Sequence, residues 1–231
     1  MTEQRAPIVV DFPLRGEWIA PNTPGHKTPS HGTDQLGQRY VFDFMRIDWS
    51  QPSGYKFFGQ SMSSYFTRGV RLDRCFGYRQ PIYAPFSGEI VEAEDGTTER
   101  DPVHFLRDMF AVYKNAVLLS AKRNHDLRPA LGNYIVMKGD QACALFAHAH
   151  RGSIRVKAGE NVSCGQQLAE VGHSGNSTAP HLHFHLMDSP QILSAEGLPC
   201  CFRHYELFER GSWSAVRNGI PGNRDRIRVL D

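Results

Sequence analysis

Apolar and polar residues alternate along several short stretches of this chain, most sharply in Leu182-His183-Phe184-His185-Leu186. Successive strand side chains point to opposite faces. A strand here sets Leu182, Phe184 and Leu186 on a core and leaves His181, His183 and His185 in a row on the other side. The same period in residues 39–44 puts Tyr40, Phe42 and Phe44 on one face and Val41 and Asp43 on the other. Further short strands are predicted at 81–85, 88–93, 133–137 and 142–148. Three more follow at 152–156, 159–162 and 165–171, separated by regular glycine turns. The one helical pattern lies at 102–123, where Leu106, Met109, Phe110, Tyr113 and Val117 recur at helical spacing. Asp101 before Pro102 reads as its N-cap and first residue, and Lys122 and Arg123 suit its C-terminal end.

Between these elements the pattern breaks down. Residues 1–38 read as a loop-rich lead-in interrupted by Pro13, Pro21, Pro24 and Pro29. Residues 46–76 are aromatic and Gly/Ser-rich without a period, which predicts an insertion packed on the domain surface. The helix belongs to a second insertion, 97–130, and 189–231 reads as a C-terminal wrap. No repeat of 20–50 residues is visible. The expected fold is mainly β: one domain over 1–231 with a β-sandwich or barrel-like antiparallel core (30–45, 78–96, 131–188), one helical insertion and loop-rich termini.

Composition narrows the function classes. The chain has 231 residues, 40% of them hydrophobic and 22% charged, with a net charge of +2. That balance gives no footprint for nucleic acid, and no apolar run reaches membrane-span length. The N-terminal residues lack the apolar core of a signal peptide. On a literal reading the protein is expected in the cytoplasm, unless a leader was removed. Five cysteines without a CxxC pair argue against a cysteine–zinc site and for mostly free thiols.

The histidine row changes the picture most. A lone strand histidine is usually structural, but three on one face need partners, because a buried unpaired imidazole costs about 1–3 kcal/mol. A metal supplies them. A catalytic zinc takes three protein ligands and leaves one position open. His183, Asp43 and an upstream histidine, His26 or His31, are the candidates. Asp43 is an acid inside an aromatic strand and needs a partner of its own. His148 ends another strand and is a natural companion of the row. Tyr134 and Tyr83 are additional candidate donors.

Several pieces in order resemble the lysostaphin/LytM-type zinc metalloendopeptidases, which cut peptide cross-bridges in bacterial peptidoglycan. Ser30-His31-Gly32 with Tyr40-Val41-Phe42-Asp43-Phe44 is similar to the segment carrying that family's first histidine and aspartate ligands. Residues 81–91, Gly132-Asn133-Tyr134-Ile135-Val136 and Phe146-Ala147-His148 follow its strands. Val162 to Gly172, Ser174-Gly175-Asn176-Ser177 and Pro180-His181-Leu182-His183-Phe184 match its most specific stretch. About half the chain is covered. The usual His-x-x-x-Asp is broken by Arg39, and His185 stands where many members carry Glu. The resemblance implies Zn²⁺ held by His31, Asp43 and His183, with His148 as general base and His181 stabilising the oxyanion, two roles that can be exchanged. It implies a peptide or peptidoglycan substrate and a place in the cell envelope. The alternative is a catalytically inactive LytM-type scaffold that activates another cell-wall hydrolase. A biotinyl or lipoyl carrier, suggested by Val162 to Val171, lacks the lysine such a hairpin needs.

Overall fold

The structure is a computed structural model that describes residues 5–50, 56–122 and 126–230. Its strands in chain order are β1 (Ile8–Val10), β2 (Gly16–Asn22), β3 (Phe42–Met45), β4 (Pro81–Tyr83), β5 (Gly88–Glu94), β6 (Asn133–Lys138) and β7 (Cys143–Ala149). They continue with β8 (Asn161–Val162), β9 (Gln167–Glu170), β10 (Leu182–Met187), β11 (Gly197–Leu198), β12 (Cys200–Glu209), β13 (Ser212–Gly219) and β14 (Ile227–Val229). The helices are α1 (Met62–Thr67), α2 (Phe105–Lys122) and α3 (Arg128–Leu131). One large sheet runs β1-β12-β14-β2-β3-β10-β7-β6-β5-β8, with β11 beside β10 and β13 beside β12. All of its pairings are antiparallel except β1 with β12. The fold is mainly β.

Alternation dictates what each face buries. Phe42, Phe44, Phe146, Leu182, Phe184 and Leu186 project into the main core. The short β4–β9 pair closes over that core with Ile82, Leu168 and Ala169. On the opposite face Val136, Cys143, Leu145, Ala147 and Met187 meet Leu127, Leu131 and Ile192 in a second cluster. The centre of the sheet is therefore covered on both sides. A row of histidines on β10 lies between two packed layers.

Several details differ from the sequence-based expectation. Strand β3 starts at Phe42, because Gln35–Tyr40 is drawn into a short 3₁₀ segment. The lead-in contributes β1 and β2. The expected C-terminal wrap contains the longest strand, β12, and its hairpin partner β13. Phe202 on β12 is the reason: its ring lies 4.4 Å from Phe12, 5.0 Å from Phe42 and 5.7 Å from Phe44, and it locks the chain's end into the core. The 46–76 insertion builds a small core of its own, where Phe57, Phe58 and Tyr65 pack mutually within 5.4 Å and reach Val103 and Ala179.

Helix α2 begins at Phe105, later than the Asp101-Pro102 pair suggested. Asp101 accepts from the backbone N–H of Leu72, and Val103 bridges Val70, so both are occupied in the other insertion. The helix start is held by Asp108, whose carboxylate accepts from the His104 backbone N–H at 2.8 Å. The apolar stripe on α2 faces outward: Leu106, Phe110 and Tyr113 are 64%, 68% and 70% exposed. Among the described side chains of α2, the one buried completely is Asp108. The side chains of Val117 and Lys122, and the whole of Arg123, lie outside the described residues.

Candidate metal centre and its histidines

Strand order β3-β10-β7 assembles the site. Asp43 on β3 is directly opposite His183 on β10, which is opposite Ala147 on β7. Because Phe42 and Phe44 go to the main core, Asp43 must face the histidine row. His31 enters from the loop between β2 and β3, which is tied down by the Ser30 N–H bonding the Arg39 carbonyl. His31 Nε2 then donates to Asp43 Oδ2 at 2.7 Å, while His183 Nδ1 donates to Oδ1 at 3.1 Å. Asn22 on β2 adds a third donor, 2.8 Å from Oδ2.

One ligand atom each from His31, Asp43 and His183 fall within 4.8 Å of one another. The ligand atoms of a second group, His148, His181 and His183, are equally close together, and the two groups share His183. The donor chemistry of the first group, two imidazoles and a carboxylate, suits a metal ion with an open position. His183 Nε2 is buried without a hydrogen-bond partner, the spare polarity that a site built for a further group leaves behind.

His148 reaches this space by an irregularity. Strict alternation after Phe146 would send its side chain into the apolar core. The β6–β7 register instead shifts between the Asn133 and Ile135 pairs, and His148 takes a left-handed φ of 64°. The shift turns its ring onto the histidine face, 4.8 Å from His181 and 5.6 Å from His183, and returns Ala149 to the main core. Such bulges and strained residues re-aim side chains next to functional sites.

The 172–180 turn delivers His181. Gly175 has φ 66°, and a Cβ there would lie 2.3 Å from the Gly132 nitrogen, so only glycine permits this approach. Ser174 Oγ accepts from the Asn133 N–H and donates to the Ala149 carbonyl, which fastens the turn to β6 and β7. His148 Nδ1 is 2.9 Å from the Ser174 carbonyl and His181 Nδ1 is 2.7 Å from the Ala179 carbonyl. A carbonyl only accepts, so both rings carry their proton on Nδ1. Both present a bare Nε2, and that of His181 lies 3.6 Å from Asp43 Oδ1.

Burial favours the uncharged form of His31, Asp43, His148 and His183, and neighbours modify it. Burial alone would raise the Asp43 pKa, but His31 and His181 and the hydrogen bonds from His183 and His31 hold it well below the usual carboxylate range. Burial lowers His148 well below an ordinary histidine, reinforced by His181 and His183. Burial also lowers His183, against the pull of Asp43. For His31 the order reverses: burial opposes protonation, yet Asp43 raises the pKa overall.

Of the residues singled out from sequence, His31, Asp43, His148, His181 and His183 converge. His26 sits exposed in a separate turn, where its N–H bonds the Thr23 carbonyl. His185 is buried and donates from Nε2 to the Leu36 carbonyl at 3.2 Å, which makes it a packing residue. Tyr134 bonds Glu92, and the Tyr83 ring is covered by Arg15. Sequence reasoning missed Asn22, Asp108, His173 and Ser177. Only Ser177, within the quoted motif stretch, and His173, in the turn just before it, carried a signal.

A sequence model of peptidase family M23 matches residues 66–194. The chain belongs to this family. The matched stretch holds His148, His181 and His183 and stops short of His31 and Asp43. Peptidoglycan DD-endopeptidase ShyA of Vibrio cholerae is 38% identical over 65 residues, 28% of this chain and 14% of that protein. Peptidoglycan DD-endopeptidase ShyB of the same organism is 27% identical over 134 residues, 56% of this chain and 29% of the other. The chain thus spans less than a third of the length of these relatives. Among solved structures, the catalytic domain of lysostaphin from Staphylococcus simulans aligns at 19% identity and TM-score 0.38, covering 72% of this chain and 86% of the other. A zinc containing peptidase from Vibrio cholerae aligns at 19% identity and TM-score 0.32, covering 62% and 35%.

Proposed function

We propose that this chain is a zinc-dependent endopeptidase that hydrolyses peptide bonds in peptidoglycan, working in the cell envelope. The observation that carries this reading is the convergence of His31, Asp43 and His183 with two further histidines whose bare Nε2 atoms share the space. Family membership and the peptidoglycan endopeptidases among the relatives support the substrate class. Zinc, when bound, would lower the pKa of water to about 7 and polarise the scissile carbonyl.

The chain's own residues do the rest. His31, Asp43 and His183 would hold the ion, and Asn22 keeps the Asp43 carboxylate turned toward it. His148, kept neutral by burial, accepts the proton of the attacking water at Nε2 and returns it to the leaving amine. His181 faces the same space from the other strand end. With a proton taken from solvent at Nε2 it donates to the carbonyl oxygen as negative charge develops there and keeps that proton, and the two rings can exchange these parts.

The test is metal analysis alongside digestion of purified peptidoglycan. Wild type is expected to bind about one zinc per chain and release soluble fragments. His183→Ala, Asp43→Ala and His31→Ala should lose the metal. His148→Ala should keep it and lose about 10²–10³ in rate. Equal zinc loss in His183→Ala and His148→Ala would sink the division between ligand and base. A wild-type protein that takes no zinc after reconstitution would sink the enzyme reading itself.

A further inference from the structure

We propose that Asp108, carried by helix α2, is a positioning residue for His181 and acts through His173 and Ser177. The proposal deepens the reading above, since it rests on His181 as one of the two unligated histidines. The geometry is a continuous chain. Asp108 Oδ2 lies 3.3 Å from His173 Nε2, His173 Nδ1 lies 3.0 Å from Ser177 Oγ, and Ser177 Oγ lies 3.2 Å from His181 Nδ1. Asp108, His173 and Ser177 have no exposed surface, so the links are shielded from bulk water.

The direction of every bond follows from its ends. A carboxylate only accepts, so His173 carries its proton on Nε2. Its Nδ1 is then an acceptor for the Ser177 hydroxyl proton at 3.0 Å, and the Ala179 carbonyl, 2.7 Å from Ser177 Oγ, is the competing acceptor. That leaves the Ser177 oxygen free to accept from His181 Nδ1–H, which it shares with the Ala179 carbonyl. All donors point toward Asp108, and the His181 Nε2 lone pair points into the site. Turning the Ser177 hydroxyl onto the Ala179 carbonyl would set its oxygen lone pair against that of His173 Nδ1, two acceptors opposed.

Asp108 is itself gripped. Arg100 Nε donates to Oδ1 at 2.8 Å and Arg107 Nε at 3.1 Å. The same Arg100 guanidinium donates to the Gly175 carbonyl at 2.7 Å and the Ser177 carbonyl at 2.5 Å. The helical insertion thus holds the backbone of the motif turn with one side chain and the His181 ring with another. A buried carboxylate on a helix whose apolar stripe faces solvent is a poor choice for stability alone. Its placement makes sense as the anchor of an oriented ring, as carboxylates behind histidines do in other sites.

The test uses the full chain with Ser177→Ala, His173→Leu and Asp108→Asn. On peptidoglycan fragments each variant is expected to lose about 10- to 100-fold in kcat, with KM within about twofold and zinc content unchanged. In zinc-free protein the His181 Nδ1–H proton resonance, assigned by its loss in His181→Gln, should shift in all three, although Asp108 does not touch His181. If Asp108→Asn fails to fold, Ser177→Ala and His173→Leu carry the test. Wild-type kcat in those two variants, parallel zinc loss, or an unmoved resonance would overturn the proposal. An inactive wild type whose resonance still shifts in the variants overturns the peptidase reading and leaves the positioning chain standing.

Discussion

His148 adopts a left-handed backbone conformation with φ 64° in the last turn of a strand otherwise made of ordinary residues. For a residue with a Cβ that conformation costs about 1–2 kcal/mol. Two truncations of the same ring should therefore differ. His148→Gly is expected to melt higher than His148→Ala by roughly 2–4 °C, the shift that about 1 kcal/mol produces in a chain of this size. In an unstrained strand the order would be the reverse, so thermal melts of the pair read the strain directly. Asp108 makes a second residue-scale prediction. Despite its burial, the His173, His104 and Arg107 hydrogen bonds hold its pKa far below the usual value. A carboxylate with a depressed folded pKa contributes stability that is present above its unfolded pKa of about 3.9 and lost as pH falls through the folded value. The wild-type protein should lose stability progressively as pH drops below about 4. Asp108→Asn should be destabilised at neutral pH by on the order of 3 kcal/mol and show a flatter acid limb in denaturant melts.

At the scale of elements, strand β10 could be read from sequence because its period of two has one interpretation: apolar residues to the core, histidines away from it. Its neighbours in space could not be read, since Asp43 lies 140 residues upstream of His183 and nothing local announces the pairing. Helix α2 shows the opposite failure. Its existence was plain from apolar spacing, but its orientation was not. Periodicity says which residues share a face and not which face is buried, and Asp108 faces inward because Arg100 and His173 compensate it from outside the helix. The register shift that redirects His148 left no mark in the sequence either: β7 advances three residues from Phe146 to Ala149 where β6 opposite advances two. The motif turn is the element with least tolerance. Gly175→Ala would add a Cβ 2.3 Å from the Gly132 nitrogen in a backbone conformation that disfavours it. A loss of about 2 kcal/mol or more is expected, read as a melting temperature lower by roughly 4–8 °C, with activity falling further than stability explains.

For the whole molecule, the two chain ends belong to one sheet. Ile8 pairs with Cys200 and Val10 with Phe202 across the β1–β12 ladder, and Trp18 pairs with Ile227. These strands were missed because prolines and isolated polar residues blur their alternation. Their stabilisation comes from distant aromatic rings and not from local pattern. Phe202→Ala should cost about 3–5 kcal/mol, measured in denaturant melts, although the residue lies outside the stretch shared with the family. The order of strands around Asp43 and His183 has a kinetic consequence. The β3–β10 ladder closes a loop of more than half the chain, and contacts at such separation form late, after the loop-closure entropy has been offset by others. The β7–β10 pairing, spanning far fewer residues, can form first and bring His148 beside His181 before Asp43 arrives. During refolding, then, the protein should acquire its compact sheet in an early phase and its capacity to take up metal only in the last one.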